Sequence, residues 1–364
     1  MKNIFNKIKV SGAKERFSFG LDIGTQSIKC VKLKVNGSAI ELVSFDLQES
    51  QLDPTEILKK IRHDQGADLV NISFCGASTV IRYVNFPRMN KVELKGALKF
   101  EAQKHIPFSV EEVNLDAVIL KDDLPENKML VLIAAIKKEL VLQRIKVLEN
   151  AGLRVNIIDI DSLALVNAFS FNYPKIELPD DSSVVSGSQN QKTDGVGLAP
   201  GSQNHKSVCL LNIGSAITNV NILDNGLVRL SRDIHSGGSS FTKKIMDVFD
   251  LDFKTAEDLK INPPADKADK ARACIENVLT SLASEIRTSF DYYESQNTSS
   301  VVTIFLSGGA SKINGLKEML SACLGLPVET WDPFKQIKIP ETIDKQKLDK
   351  FYGEFNVAVG LALR

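Results

Sequence analysis

Apolar and polar positions alternate through Phe17 to Ile23, Ser27 to Val35 and Ala39 to Asp46, the period-two pattern of strands with one buried face. Short turns join them, the second at Asn36-Gly37, a pair suited to the positive φ of a tight hairpin. The three runs predict an antiparallel meander. Pro54 to Gln65 then places Ile57, Leu58 and Ile61 at helical spacing, and Asp68 to Phe74 reads as a buried strand, so a parallel crossover should follow the meander. The meander returns about 190 residues on, as Ser207 to Ile213, Thr218 to Leu223 and Leu227 to Ile234, with Asn225-Gly226 where Asn36-Gly37 stood.

Between the two meanders, Phe86-Pro87-Arg88-Met89-Asn90 opens a separate unit. Asn90 caps a helix with Glu93 as the return acceptor and Met89 stapled on Leu94; the helix should stop near His105, ahead of Pro107. Strands at Val113 to Leu120 and Met129 to Ile136, then a helix from Lys138 to Asn150 closed by Gly152, complete a compact α+β module inserted into the first lobe. Val155 to Ile160 resumes a strand and Leu163 to Phe169 a helix. Tyr173 to Lys206 has almost no large apolar residues and reads as a mobile loop. In the second half, helices are predicted from Gly237-Gly238 through Phe249, at Ala256 to Lys260, along Ala268 to Tyr293, at Asn314 to Leu324 and at Phe355 to Leu363. A strand at Val301 to Leu306 ends in Ser307-Gly308-Gly309-Ala310. The expected organisation is a basic N-terminus (1–16), a first lobe (17–85, completed by 155–173 and 352–364), the inserted module (86–154), a disordered loop (174–206) and a second lobe (207–351).

Composition narrows the function without choosing it. The 364 residues carry 45 basic and 45 acidic side chains, so no net charge argues for nucleic acid. Five scattered cysteines without a CxxC pair fit thiols in a reducing cytosol, and the histidines at 63, 105, 205 and 235 have no metal-ligand spacing. Apolar runs such as Met129 to Ile136 are far short of the roughly 18–20 residues that cross a bilayer, so a cytoplasmic protein is expected. Ile4, Phe5 and Ile8 beside Lys2, Lys7 and Lys9 could rest weakly on an anionic membrane, although a frayed tail is the plainer reading.

The chemistry concentrates in two turns. Asp22-Ile23-Gly24-Thr25-Gln26-Ser27-Ile28-Lys29 and Asn212-Ile213-Gly214-Ser215-Ala216-Ile217-Thr218 share a frame: a side-chain oxygen at a strand end, a glycine two residues later, and a polar turn able to approach an anion. For ATP, Asp22 would hold a hydrated Mg²⁺. The amides of Gly24, Thr25, Gln26 and Ser27 would meet phosphates, with Lys29 as a point charge. Gly214, Ser215 and Thr218 would face them from the other lobe, and Gly308, Gly309 and Ala310 would leave room for adenine. An ordinary hairpin with Lys29 in solvent is the plain alternative for the first turn.

Together, Asp22-x-Gly24 to Lys29, x-x-Gly214 to Thr218 and Ser307-Gly308-Gly309 resemble the phosphate and adenosine motifs of the actin/Hsp70/sugar-kinase ATPase fold. More closely, Phe86-Pro87-x-Met89, Glu101-Ala102-x-x-x-Ile106-Pro107-Phe108, Val113-x-x-Asp116 and Gly360-Leu361-Ala362-Leu363-Arg364 resemble the PilM family of actin-like type IV pilus assembly proteins, itself similar to FtsA. The resemblance implies an α/β, ribonuclease H-like two-lobe ATPase fold with an FtsA/PilM-type (SHS2) α+β insertion. Ala256-Glu257-x-Leu259-Lys260 resembles the ribose-side helix, which adds Glu257 and Lys260, with Gly237 and Gly238, to the nucleotide contacts. It also implies a cytoplasmic scaffold that binds ATP or ADP with Mg²⁺, docks the cytoplasmic tail of a PilN-like inner-membrane protein in a groove near 86–120, and links it to the pilus motor ATPases. Where the wider fold has aspartate, the second turn has Asn212, which cannot supply charge or act as a base. Binding should therefore survive with slow or absent hydrolysis, leaving Asp22 and Asn212 as the candidate catalytic positions. The competing readings are a sugar or acetate kinase, with Asp116, Asp159 or Asp161 as base, and an FtsA-like filament former or type II secretion platform component.

Overall fold

A computed structural model of the chain describes residues 15–37, 39–50, 53–174 and 206–364. The basic N-terminus up to residue 14 and the polar stretch 175–205, for both of which an expectation was stated, lie outside them. The opening meander is β1 (Arg16–Ile23), β2 (Ser27–Asn36) and β3 (Ala39–Glu49). Helix α1 (Pro54–Gln65) starts where the Asp53 carboxylate accepts the Thr55 amide and ends at Gly66 with φ of 59°, the left-handed stop that glycine adopts at least cost. It leads to β4 (Leu69–Phe74), which pairs in parallel with β1.

Strand β5 (Thr79–Pro87), helix α2 (Lys91–Ala102), β6 (Val113–Leu124) and β7 (Lys128–Lys137) follow. Asn90 and Glu93 form the expected reciprocal cap of α2. Helix α3 (Lys138–Asn150), β8 (Arg154–Ile160) and α4 (Asp161–Asn172) complete the first half. The first sheet runs β3-β2-β1-β4-β8, and a separate three-stranded sheet runs β5-β7-β6. Pairing and packing run across the sequence-based boundaries at 86 and 154. Thr79 already pairs with Ile136 in the small sheet, whereas Val141 and Leu148 of α3 sit in one core with Ile57, Leu58 and Ile61 of α1. The alternation in Thr79 to Phe86 carries no sign of which sheet it will join, and an amphipathic stripe does not name its partner.

The second half repeats the plan. Strands β9 (Lys206–Ile213), β10 (Thr218–Asp224) and β11 (Leu227–Ile234) are followed by α5 (Gly238–Phe249), α6 (Phe253–Ile261), α7 (Ala268–Gln296), β12 (Ser300–Ser307), α8 (Leu316–Leu324), β13 (Val328–Thr330), α9 (Lys345–Phe351) and α10 (Asn356–Ala362). Sheet order is β11-β10-β9-β12-β13. Its outer face is covered by α5 and α7 through Phe241, Ile245, Leu282, Ile286 and Phe290. Its other face meets the first lobe in a shared core, where the Phe169 ring lies 4.9 Å from that of Phe305 and 5.1 Å from that of Trp331. No helix among the described residues is long and apolar enough to cross a membrane.

The short α10 sits between β1 and α4 with almost no space. A Cβ added at Gly360 would lie 1.8 Å from the Ala164 carbonyl oxygen, and one at Gly20 1.9 Å from that of Ala358. Asn167 and Asn71 donate side-chain amides to the carbonyls of Gly360 and Leu361, each at 2.8 Å, and the Arg364 guanidinium meets the buried Asp159 carboxylate at 2.6 Å. Gly360→Ala or Gly20→Ala should destabilise the fold by about 1–3 kcal/mol or more, the usual cost of overpacking. Gly96→Ala, inside α2 with open space around it, should stabilise by roughly 0.5–1 kcal/mol. Equilibrium unfolding in urea checks all three signs.

Candidate functional site

The two predicted turns are built alike. In the β1–β2 turn the Gly24 amide donates to the Ser27 carbonyl at 3.1 Å; in the β9–β10 turn the Gly214 amide donates to the Ile217 carbonyl at 2.9 Å. Each turn is flanked by a cross-strand pair seven residues apart, Asp22 opposite Lys29 and Asn212 opposite Asn219. The first pair is an ion pair, with Lys29 Nζ 3.1 Å from Asp22 Oδ2. In the second, the Asn212 Nδ2 amide donates to Asn219 Oδ1 at 2.8 Å. Lys29 is therefore neither loose in solvent nor free, and the Gly24 amide is committed to its own turn, which leaves the neighbouring amides and hydroxyls to face an incoming group.

Both turns open onto one cleft between the lobes. Of the predicted residues, Asp22, Gly24, Thr25, Gln26, Ser27, Lys29, Asn212, Gly214, Ser215, Gly308 and Gly309 line it. Gly308 has φ of 91°, and a Cβ there would strike the Ile213 carbonyl at 2.4 Å; only glycine lets β12 turn away beneath the second turn. Thr218, Gly237, Gly238, Glu257, Lys260 and Ala310 do not line the cleft; the first five of these support it from behind. The Gly238 and Ser239 amides donate to the carbonyls of Gly214 and Ser215 at 2.8 and 2.9 Å, so the amides at the start of α5 hold the turn. Lys260 lies beneath them, bonded to Glu257 at 2.6 Å and to Thr242 at 2.8 Å, and Thr218 donates to the Ser236 carbonyl at 2.7 Å. Burial lowers the Lys260 pKa although Glu257 works to raise it.

Reading the sequence motif by motif passed over Cys75, Asn219, Glu354 and Val357, which also line the cleft. Asn219 could have been found, because its distance from Asn212 equals that from Asp22 to Lys29. Glu354 and Val357 could not, since α10 reaches the cleft only through the packing of the chain's end. Among the three aspartates weighed as a kinase base, Asp161 lines the cleft, Asp159 is held by Arg364, and Asp116 lies in β6 of the small sheet.

Asp161 dominates the electrostatics. Burial and then the charge of Asp22 push its carboxyl up to about 6, against hydrogen bonds from Ser73 and Cys75. Burial works against the Lys29 ammonium, but the charges of Asp22 and Glu354 outweigh it and raise its pKa. The cleft thus sets Asp22 and Asp161 beside Lys29, with Glu354 paired to Lys312 at 2.5 Å, which suits a polyanion only together with a hard cation held by carboxylates and water. With two glycine turns that leave backbone accessible, this donor set fits a Mg²⁺-bound nucleotide.

Two lobes, each opened by the same meander and facing each other over paired turns, are the architecture of the actin-like ATPase class, and this chain has that fold. The sequence profile of the type IV pilus assembly protein PilM matches residues 20–186 and 191–364; the chain belongs to that family and is an actin-like protein of type IV pilus assembly. A solved PilM–PilN type IV pilus biogenesis complex matches with a TM-score of 0.77 at 23% identity, over 95% of this chain and 98% of that one. The ethanolamine utilization protein EutJ from Carboxydothermus hydrogenoformans matches with a TM-score of 0.52 at 13% identity, over 96% and 89%. MreB5 of Spiroplasma citri, solved with ADP, matches with a TM-score of 0.43 at 12% identity, over 88% and 93%.

An acid whose pKa rises on folding costs stability once the unfolded chain ionises. For Asp161 that cost is absent below about pH 4, grows to about pH 6 and is complete above it. Asp161→Asn should therefore stabilise the nucleotide-free protein at pH 7.5 by about 1–3 kcal/mol and by little near pH 4. Urea unfolding at both pH values checks this; an equal gain at each would mean that charge is not the cause.

Proposed function

We propose that the cleft binds ATP or ADP with Mg²⁺ and that the bound nucleotide sets how the two lobes meet in a pilus assembly scaffold. The observation that carries this reading is the pair of matched turns facing one cleft, with Asp22 and Asp161 among its carboxylates. Asp22 and Asp161 would hold the hydrated cation. Amides and hydroxyls of Thr25, Gln26, Ser27 and Ser215 would meet phosphate oxygens, and the Gly308-Gly309 turn would leave space for the base. The cation would neutralise phosphate charge, and Lys29, already paired with Asp22, would add a single positive charge beside it. Asn212 offers a carbonyl oxygen without charge and cannot take a proton, so hydrolysis would be slow; what turnover there is would need Asp161 to accept a proton from a water of the hydrated cation.

As a member of its family, the protein docks the cytoplasmic tail of a PilN-like inner-membrane protein and so works at the inner face of the cytoplasmic membrane, in contact with the pilus motor ATPases through that assembly. Both faces of β7 are already covered, one by the first lobe and the other by α2, so the tail would dock beside the small sheet rather than on a face of it. The family resemblance puts the docking groove near residues 86–120.

Labelled ATP should bind in the presence of Mg²⁺, and Asp22→Ala should weaken that binding by roughly tenfold or more, the worth of one charge-assisted contact. Wild-type turnover should be slow and lower still in Asp161→Ala. Immobilised tails of candidate membrane partners should retain the protein. Absence of both ATP binding and tail capture would leave the fold and family without this function.

A further inference from the structure

The second turn differs from the first in more than residue 212. Four side chains form a continuous hydrogen-bonded row across the end of the second sheet: Ser307 on β12, Asn212 on β9, Asn219 on β10 and Asp233 on β11. They are cross-strand neighbours at every step, Ser307 opposite Asn212, Asn212 opposite Asn219, and Asn219 opposite Asp233. The Ser307 hydroxyl meets Asn212 Oδ1 at 3.3 Å, Asn212 Nδ2 donates to Asn219 Oδ1 at 2.8 Å, and Asn219 Nδ2 donates to Asp233 Oδ1 at 2.7 Å. Asp233 Oδ2 accepts the Gly76 amide of the first lobe at 2.6 Å, so the row ends by bridging the lobes. Asn219 and Ser307 are fully buried.

Only Asp233 fixes the direction of this row. An ionised carboxylate accepts and never donates, so Asn219 must turn its NH₂ toward Asp233 and its carbonyl toward Asn212. Asn212 must then give its NH₂ to Asn219, leaving its own carbonyl oxygen beside Ser307 and Gly308. We propose that Asp233 and Asn219 are positioning residues that lock the Asn212 amide in this orientation, so that the whole row, and not residue 212 alone, keeps the second turn uncharged. This rests on the reading that the cleft holds Mg²⁺ and nucleotide. In the first turn the residue opposite Lys29 on β3 is the apolar Leu47, so among the described residues the row has no counterpart across β1, β2 and β3. In the second, a carboxylate at 212 would face the carbonyl of Asn219, two acceptors in a buried place where an unmade bond is costly. Asn219 could turn over to meet it only by presenting its carbonyl to Asp233.

The row can be reversed as a unit. With Asp233→Asn, residue 233 keeps an oxygen for the Gly76 amide and presents NH₂ to Asn219; Asn219 turns over and presents NH₂ to residue 212, which is what an aspartate there requires. Asn212→Asp should lower the unfolding midpoint of the nucleotide-free protein by several degrees, Asp233→Asn should lower it less, and the double variant should recover most of the loss. Losses that simply add in the double variant overturn the proposal. If Asn212→Asp does not fold, a folded double variant supports the proposal, and an unfolded one overturns it. A fluorescent ATP analogue titrated with Mg²⁺ gives the second readout: the double variant should bind severalfold more tightly than wild type and Asn212→Asp alone should not, while gains in both overturn the lock. Failure of the nucleotide reading shows separately, as no binding in any of the four proteins, with the unfolding midpoints still deciding whether the row acts as a unit.

Discussion

Contact of backbone with backbone at the chain's last helix is the constraint on which the first lobe and its cleft depend. At Gly20 and Gly360, α10 comes so near β1 and α4 that a single methyl group would overlap a carbonyl oxygen. That approach fixes the end of β1, where Asp22 stands, against the start of α4, where Asp161 stands, and it delivers Glu354 and Val357 to the same cleft. Close packing leaves no softer way to hold these groups, because interiors at crystal-like density transmit displacement rather than absorb it. The buried Arg364–Asp159 pair and the side-chain amides of Asn71 and Asn167 satisfy the polar groups that such a tight joint would otherwise strand.

Around this joint the two halves are alike in backbone and unlike in charge. Both turns close with the same glycine amide to carbonyl bond, and both place a side-chain pair across the strands beneath. An ion pair in the first becomes a pair of neutral amides in the second, with the nearest carboxylate displaced to Asp233 on the neighbouring strand. The result is a cleft that grips from both sides but concentrates its negative charge on the side of Asp22 and Asp161. The Asp233 bond to the Gly76 amide ties the second turn to the first lobe. Gly76 lies just before β5, so the second sheet and the small sheet share one connection.

The lobes are further joined by an apolar core rather than by a hinge alone. Phe169, Phe305 and Trp331 meet edge to face or tilted, arrangements that favour aromatic rings beyond their buried area. Lys338 lies beside β3 through two backbone bonds, which carries the late chain back onto the first sheet.

Local order in the sequence was enough for the repeated meander, the capped α2, the glycine stop of α3, and both turns, because alternation, capping and turn chemistry act within a few residues. The same signals placed Asp22, Lys29, Asn212 and Gly308 at strand ends before any fold was known. Tertiary structure alone decided that β5 pairs within the small sheet and that α3 shares a core with α1 and β7, since a strand or stripe can bury its apolar face against any suitable partner. It alone brought Asp161, Glu354 and Val357 to the cleft, moved Glu257 and Lys260 behind it, and showed that Lys29 is spoken for by Asp22. These outcomes depend on contacts between residues far apart in the chain, and the energy of such contacts is settled by shape and shielding from water that no local pattern records.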